Sequence, residues 1–147
     1  WLTKGDYPFV TVFNYFFVFF FLNLIQFGNL IKANEYISSA PIVYHANAFY
    51  VVGGFVGVSD SNIIGRLDAA TLTWTKAGKL NYARYGHGAI FNGKRIIVAG
   101  GYGSYKTESC SVDENGIVNC IEQAPTLDYY NVYPEMYLVD DAFCKDI

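Results

Sequence analysis

The chain repeats itself, and the repeat limits what it can fold into. Gly53-Gly54 and Gly100-Gly101 stand 47 residues apart, and moving the sequence by that step aligns much else. Ile42-Val43-Tyr44 falls on Ala89-Ile90-Phe91, His45-Ala46-Asn47 on Asn92-Gly93-Lys94, and Phe49-Tyr50-Val51-Val52 on Ile96-Ile97-Val98-Ala99. Leu80 meets Leu127. The same step carries Ala89-Ile90-Phe91 onto Met136-Tyr137-Leu138, with Asp140-Asp141 at the turn, so a third unit is expected to begin there. A period of about 40–50 residues belongs to architectures in which one supersecondary unit stacks on the next.

The stretch from Arg84 to Gly101 shows what the unit is made of. Ala89-Ile90-Phe91 and Ile96-Ile97-Val98-Ala99 are apolar runs, and the Asn92-Gly93 between them is the strongest two-residue hairpin signal. Both runs are apolar on both faces, which predicts a hairpin inside a stack of sheets and not on a half-wet surface. The glycine pair that follows marks a bend, or a place where another backbone passes too close for a Cβ. Four short strands in each period predict a propeller blade.

Here the residues support a resemblance. Asn81 to Gly101 resembles the start of a kelch repeat, which has a first strand with small residues and a histidine, here His87, then an apolar strand and the glycine pair. In the preceding unit, Gly53-Gly54, Leu67-Asp68 (where the family usually has Tyr-Asp) and Trp74 resemble the later kelch strands. Two departures stand out. The first unit has Ser39-Ala40-Pro41 in place of the Gly-His pair, and the second has no tryptophan, with Cys120 in that neighbourhood. The resemblance implies an all-β fold over residues 37–147, a partial kelch-type β-propeller of two four-stranded antiparallel blades, about 37–80 and 81–127. Residues 128–147 are then a truncated third. Gly53, Gly54, Trp74, His87, Gly100 and Gly101 carry the signature, and Trp74 is expected to pack against the second blade.

Residues 1–36 are different in kind. Tyr7 to Ile31 contains no Asp, Glu, Lys or Arg and holds eight of the twelve phenylalanines. Three readings of Pro8–Leu30 stay open: a membrane helix or anchor, translated non-coding sequence, and a signal or buried strand. More than 20 uncharged residues suffice to span a bilayer, yet Asn14, Asn23, Gln26 and Asn29 interrupt the run, and Pro41 follows Ser38-Ser39-Ala40 where a signal cleavage site would need to be. The chain opens at Trp1 and closes three residues after Cys144, which suggests a piece of a longer protein contributing further blades. A closed propeller needs about four to eight of them.

The charges point away from nucleic acid. Residues 1–100 carry eight basic and four acidic side chains, and residues 101–147 carry two and nine. The basic residues are scattered singly, with no patch to track a phosphate backbone, and the acidic end lacks the spacing of a calcium loop.

Cysteine offers the sharpest local inference. If the turn is Glu114-Asn115-Gly116, Cys110 and Cys120 face each other on adjacent strands, close enough to bridge. A bridge would imply a membrane-attached or extracellular protein; the alternative is three buried thiols. Cys144 is left over.

No catalytic or metal site and no cofactor is expected. His45 and His87 lack a second histidine or carboxylate at ligand spacing, and His87 is expected to hydrogen-bond backbone between blades. No nucleophile motif occurs. The function expected is therefore non-enzymatic: a kelch module binding a protein partner through loops after the glycine pairs, Phe55–Asn62 (with Phe55 and Asp60) and Tyr102–Thr107 (with Tyr102 and Tyr105). The alternative is a fragment of a galactose-oxidase-like kelch propeller enzyme, whose copper site would need Tyr and His ligands.

Overall fold

The computed structural model describes residues 37–124, 126–127 and 131–138. The candidate membrane segment Pro8–Leu30, the Asp140-Asp141 turn and Cys144 lie outside them. The described chain is all-β, with nine strands: β1 (Ile37–Ser38), β2 (Ile42–His45), β3 (Ala48–Val56), β4 (Ser59–Asp68), β5 (Trp74–Lys79), β6 (Gly88–Phe91), β7 (Arg95–Ala99), β8 (Thr107–Val112) and β9 (Val118–Gln123). They form one curled, half-barrel sheet in a propeller-like arrangement.

The hairpins follow from turn chemistry. Between β2 and β3, Ala46 and Asn47 both take left-handed φ, 47° and 56°, the geometry that matches strand twist in a two-residue loop. Between β6 and β7 the loop is centred one residue later than Asn92-Gly93. The Asn92 amide donates to the Arg95 carbonyl at 3.0 Å, and its Oδ1 accepts from the Lys94 and Arg95 amides at 3.1 and 2.9 Å. Asn92 thus caps the turn from its first corner, leaving Gly93 to supply the positive φ of 86°.

Each unit is a four-stranded antiparallel meander, β2-β3-β4-β5 and β6-β7-β8-β9. β1 pairs with the far end of β3, so β1 and β2 are one inner strand interrupted at Ser39–Pro41. The 47-residue step reproduces this pairing. Ile42 faces Val51 as Ala89 faces Val98, and Ser38 faces Phe55 as Tyr85 bridges to Tyr102. The step fails further out: Val51 faces Gly65, but Val98 faces Glu108 and not Val112, four residues short of the period. In the first unit the stretch expected as a loop, Phe55–Asn62, is mostly strand, with a tight turn at Gly57-Val58. In the second, residues 100–106 form no strand, only the single Tyr85–Tyr102 bridge, before β8 begins.

The two units pack face to face. Val43, Ala48, Tyr50, Val52, Ile64 and Ala77 of the first meet Ile96, Val98, Cys110 and Val118 of the second, with Leu80 between them. A smaller cluster of Ile37, Ala40 and Val51, with Ile42, Val56 and Trp74 against it, lies on the opposite face of the first unit. Trp74 therefore does not pack against the second unit as expected. It pairs with Leu67, which pairs with Phe49. Strand alternation puts these side chains on the face of Val51 and not of Tyr50.

The outer strands also meet. β5 and β9 pair in parallel through Gly78–Val118 and Lys79–Asn119, joining two meanders that the sequence reading kept separate. Gly78 permits this, because a Cβ there would collide with the Val118 carbonyl. Residues 131–138, where a third unit was expected to open, carry no strand. They lie on the far side of the second unit, with the Met136 side chain 2.6 Å from where a Gly88 Cβ would stand.

Candidate binding face and the seam beneath it

Both glycine pairs sit where one unit hands over to the next, and the hydrogen bonds there recur at the same step. Gly54 N donates to Arg84 O at 2.8 Å, and Gly101 N to Asn131 O at 2.7 Å. Gly86 N donates to Ser39 O at 2.8 Å, and Tyr133 N to Gly86 O at 2.6 Å. The start of each unit is thus stitched to the glycine-pair end of the one before. At Gly53 (φ 58°) a Cβ would lie 2.9 Å from both Arg84 O and His87 Cε1, and at Gly101 (φ 88°) 2.7 Å from His87 Cβ. The pairs are small because backbone and a histidine ring fill the space.

Under this junction lies a buried polar seam that the sequence reading missed. Arg84 and Glu108, both with side chains fully buried, form an ion pair at 3.0 Å. Arg84 also donates to the Gly100 and Lys106 carbonyls at 3.1 and 2.7 Å. Glu108 accepts from the Asn81 amide (2.7 Å), the Asn81 side chain (2.8 Å) and the Tyr82 amide (3.3 Å). Arg84 backbone groups meanwhile bond Gly54 and Ser61 of the first unit. One residue thereby pins both units. Burial lowers the Arg84 pKa, and Glu108 opposes the shift.

His87 lies in the same seam, fully buried; its ring nitrogens make no hydrogen bond of ordinary geometry, but the backbone beside the ring is that of Val52 in the first unit, the inter-unit contact expected of it. Burial first, then the Arg84 charge, hold its pKa down at about 3, and the Val52 backbone offsets this only in part. It is a neutral space-filler at neutral pH. His45 sits at the opposite end of the strands, stacked on Phe91 with ring centroids 4.0 Å apart. Among the described residues, no group of three or more His, Cys, Asp or Glu could hold a metal ion.

Cys110 and Cys120 face each other across β8 and β9 and are joined as a disulfide, as the turn spacing implied. Asp113 fixes that register: its carboxylate accepts from the Asn115 and Ile117 amides at 2.9 and 2.8 Å, closing the turn. The bridge lies in the apolar layer between the units.

The surface above the glycine pairs is aromatic. Phe55 meets Tyr85 edge-on with centroids 5.2 Å apart, and Tyr85 stacks on Tyr102 at 4.8 Å and 20°. Tyr102 is 47% exposed and Tyr133 51%, and the Tyr133 ring lies against Gly86. Asp60 is the cross-strand partner of Phe55, and its Oδ2 stands 2.9 Å from where a Gly103 Cβ would be, one residue from Tyr102. The Tyr85 phenol is pushed above its usual range by burial, then by the neighbouring Tyr102, Asp60 and Tyr133.

Of the four candidate contact residues, Phe55, Asp60 and Tyr102 therefore come together, with Tyr85 added. Its place could have been read from the 47-residue step, which sets Tyr85 where Ser38 faces Phe55. Tyr105 belongs to a separate group, its ring 5.6 Å from the Lys106 ammonium. Lys106 pairs with Glu122 at 2.7 Å, and the Tyr82 hydroxyl donates to Glu122 at 2.6 Å. No protein-family model matches the chain, and no curated protein matches it.

Proposed function

We propose that residues 37–138 are two kelch-type blades and the opening of a third, working as a non-enzymatic module that binds a protein partner at the glycine-pair end. The observation that carries this reading is the Phe55–Tyr85–Tyr102 ladder. Successive units deliver side chains to one exposed face there, and rigid aromatic rings give contact area at small entropic cost. The blade reading is supported by the handover hydrogen bonds, which recur 47 residues on from Gly54 to Gly101 and from Gly86 to Tyr133. The Cys110–Cys120 bridge supports an extracellular or otherwise oxidising setting.

The test is a selection of random dodecapeptides on the immobilised 147-residue chain, repeated on a Phe55→Ala/Tyr102→Ala variant. Binders that the variant loses support the module. Binders retained in full by the variant refute this face. Stoichiometric copper held by the chain and lost on His87→Ala would favour the oxidase alternative instead.

A further inference from the structure

The aromatic face and the Tyr105 group are built from the same parts. In the Tyr105 group, a cation, the Lys106 ammonium, is held by an ion pair to Glu122 and a contact with the Tyr105 ring, and Glu122 is itself bonded by the Tyr82 hydroxyl. On the aromatic face the Asp60 carboxylate stands against Gly103, next in the chain to Tyr102, and close enough to act on the Tyr85 phenol, but no Lys or Arg among the described residues pairs with it. Tyr85 stacks on the Tyr102 ring, and Tyr102 still keeps 47% of its surface exposed. The ring quadrupole and the carboxylate both favour a positive charge at that spot.

We propose that this face binds a guanidinium, carried by an arginine on an extended segment of a protein partner, which stacks on Tyr102 and directs its charge to Asp60. A planar, weakly hydrated guanidinium suits a flat ring edged by a carboxylate better than a compact, strongly hydrated ammonium does. The inference rests on the binding-module reading above and adds the chemistry of the partner.

The dodecapeptide selection on the 147-residue chain tests it. The selected pool is expected to be enriched in arginine over both lysine and neutral residues. Its affinity should fall roughly 2- to 30-fold on Tyr102→Ala. On Asp60→Asn it should fall roughly 2- to 5-fold at low salt, a difference that shrinks at 1 M salt, where charges are screened within about 3 Å. Both side chains lie at the surface, and unchanged circular dichroism would show that the variants fold. A pool with no arginine preference, or one in which lysine serves equally, overturns the proposal. If such a pool is still lost on Tyr102→Ala, the binding module survives without the guanidinium. If no pool is selected, both fall. Displacement of the pool by neutral oligosaccharides would identify a saccharide platform and also overturn the proposal.

Discussion

Truncating Glu108 probes the junction where the two units are tied. Its carboxylate receives four donors: Arg84 Nη2, the Asn81 amide and side chain, and the Tyr82 amide. In Glu108→Ala, Arg84 keeps the Gly100 and Lys106 carbonyls but loses its counter-charge in a fully buried position. Removing one partner of a buried ion pair costs about 3–5 kcal/mol, because the other charge stays desolvated. Asn81 is exposed, so water can replace part of what the two amides lose, adding about 1 kcal/mol. The sum, about 4–6 kcal/mol, takes up much of the roughly 5–15 kcal/mol that holds a domain folded. Urea unfolding followed by circular dichroism should show the midpoint falling by about 2 M, given a slope of about 1–3 kcal/mol per M. An Arg84→Met/Glu108→Leu double variant should lose less than the two single variants added together, by about 0.5–3 kcal/mol. If Glu108→Ala stays within about 1 kcal/mol of the parent, the seam is not what ties the units and the reasoning fails.

Three further outcomes are expected. His87 is held neutral in the fold down to about pH 3, so its contribution is complete above its ordinary pKa of 6.5. As the pH falls, the unfolded chain takes up a proton that the fold refuses, costing about 2 kcal/mol between pH 7 and 5; urea titrations of His87→Leu should lack that slope, and an unchanged slope refutes the assignment. Gly78→Val should destabilise by about 1–3 kcal/mol through collision with the Val118 carbonyl. Hydrogen exchange in the variant should then accelerate at positions 78 and 79, and unchanged protection would mean that the β5–β9 contact is not structural. Reducing Cys110–Cys120, which closes a loop of sequence separation 10, should cost about 2–3 kcal/mol by loop-closure entropy. Coincident urea curves with and without reductant would remove the bridge as a source of stability.

Much of the fold was legible in the chain. The repeat at 47 residues foresaw which strands pair within the inner hairpins, because a two-residue turn leaves no freedom of register. The Asp113–Gly116 turn did the same for β8 and β9, and so placed Cys110 opposite Cys120. The candidate face was half legible: Phe55, Asp60 and Tyr102 were singled out, but Tyr85 was not, and the Tyr105 ring lies instead beside Lys106.

What the sequence by itself determined, then, was local: turn positions, the alternation of the strands, and the spacing that repeats them. Only the tertiary structure decided which unit each face meets. It turned Trp74 away from the second unit, shortened the β7–β8 pairing by four residues, joined β5 to β9, and brought Arg84 to Glu108 across 24 residues. Within a hairpin, chain connectivity fixes the partner before any packing occurs. Between units the partner is chosen by sheet twist, close backbone approach and the need of a buried charge for its counter-ion, and these are properties of the assembled fold that no local run of residues encodes.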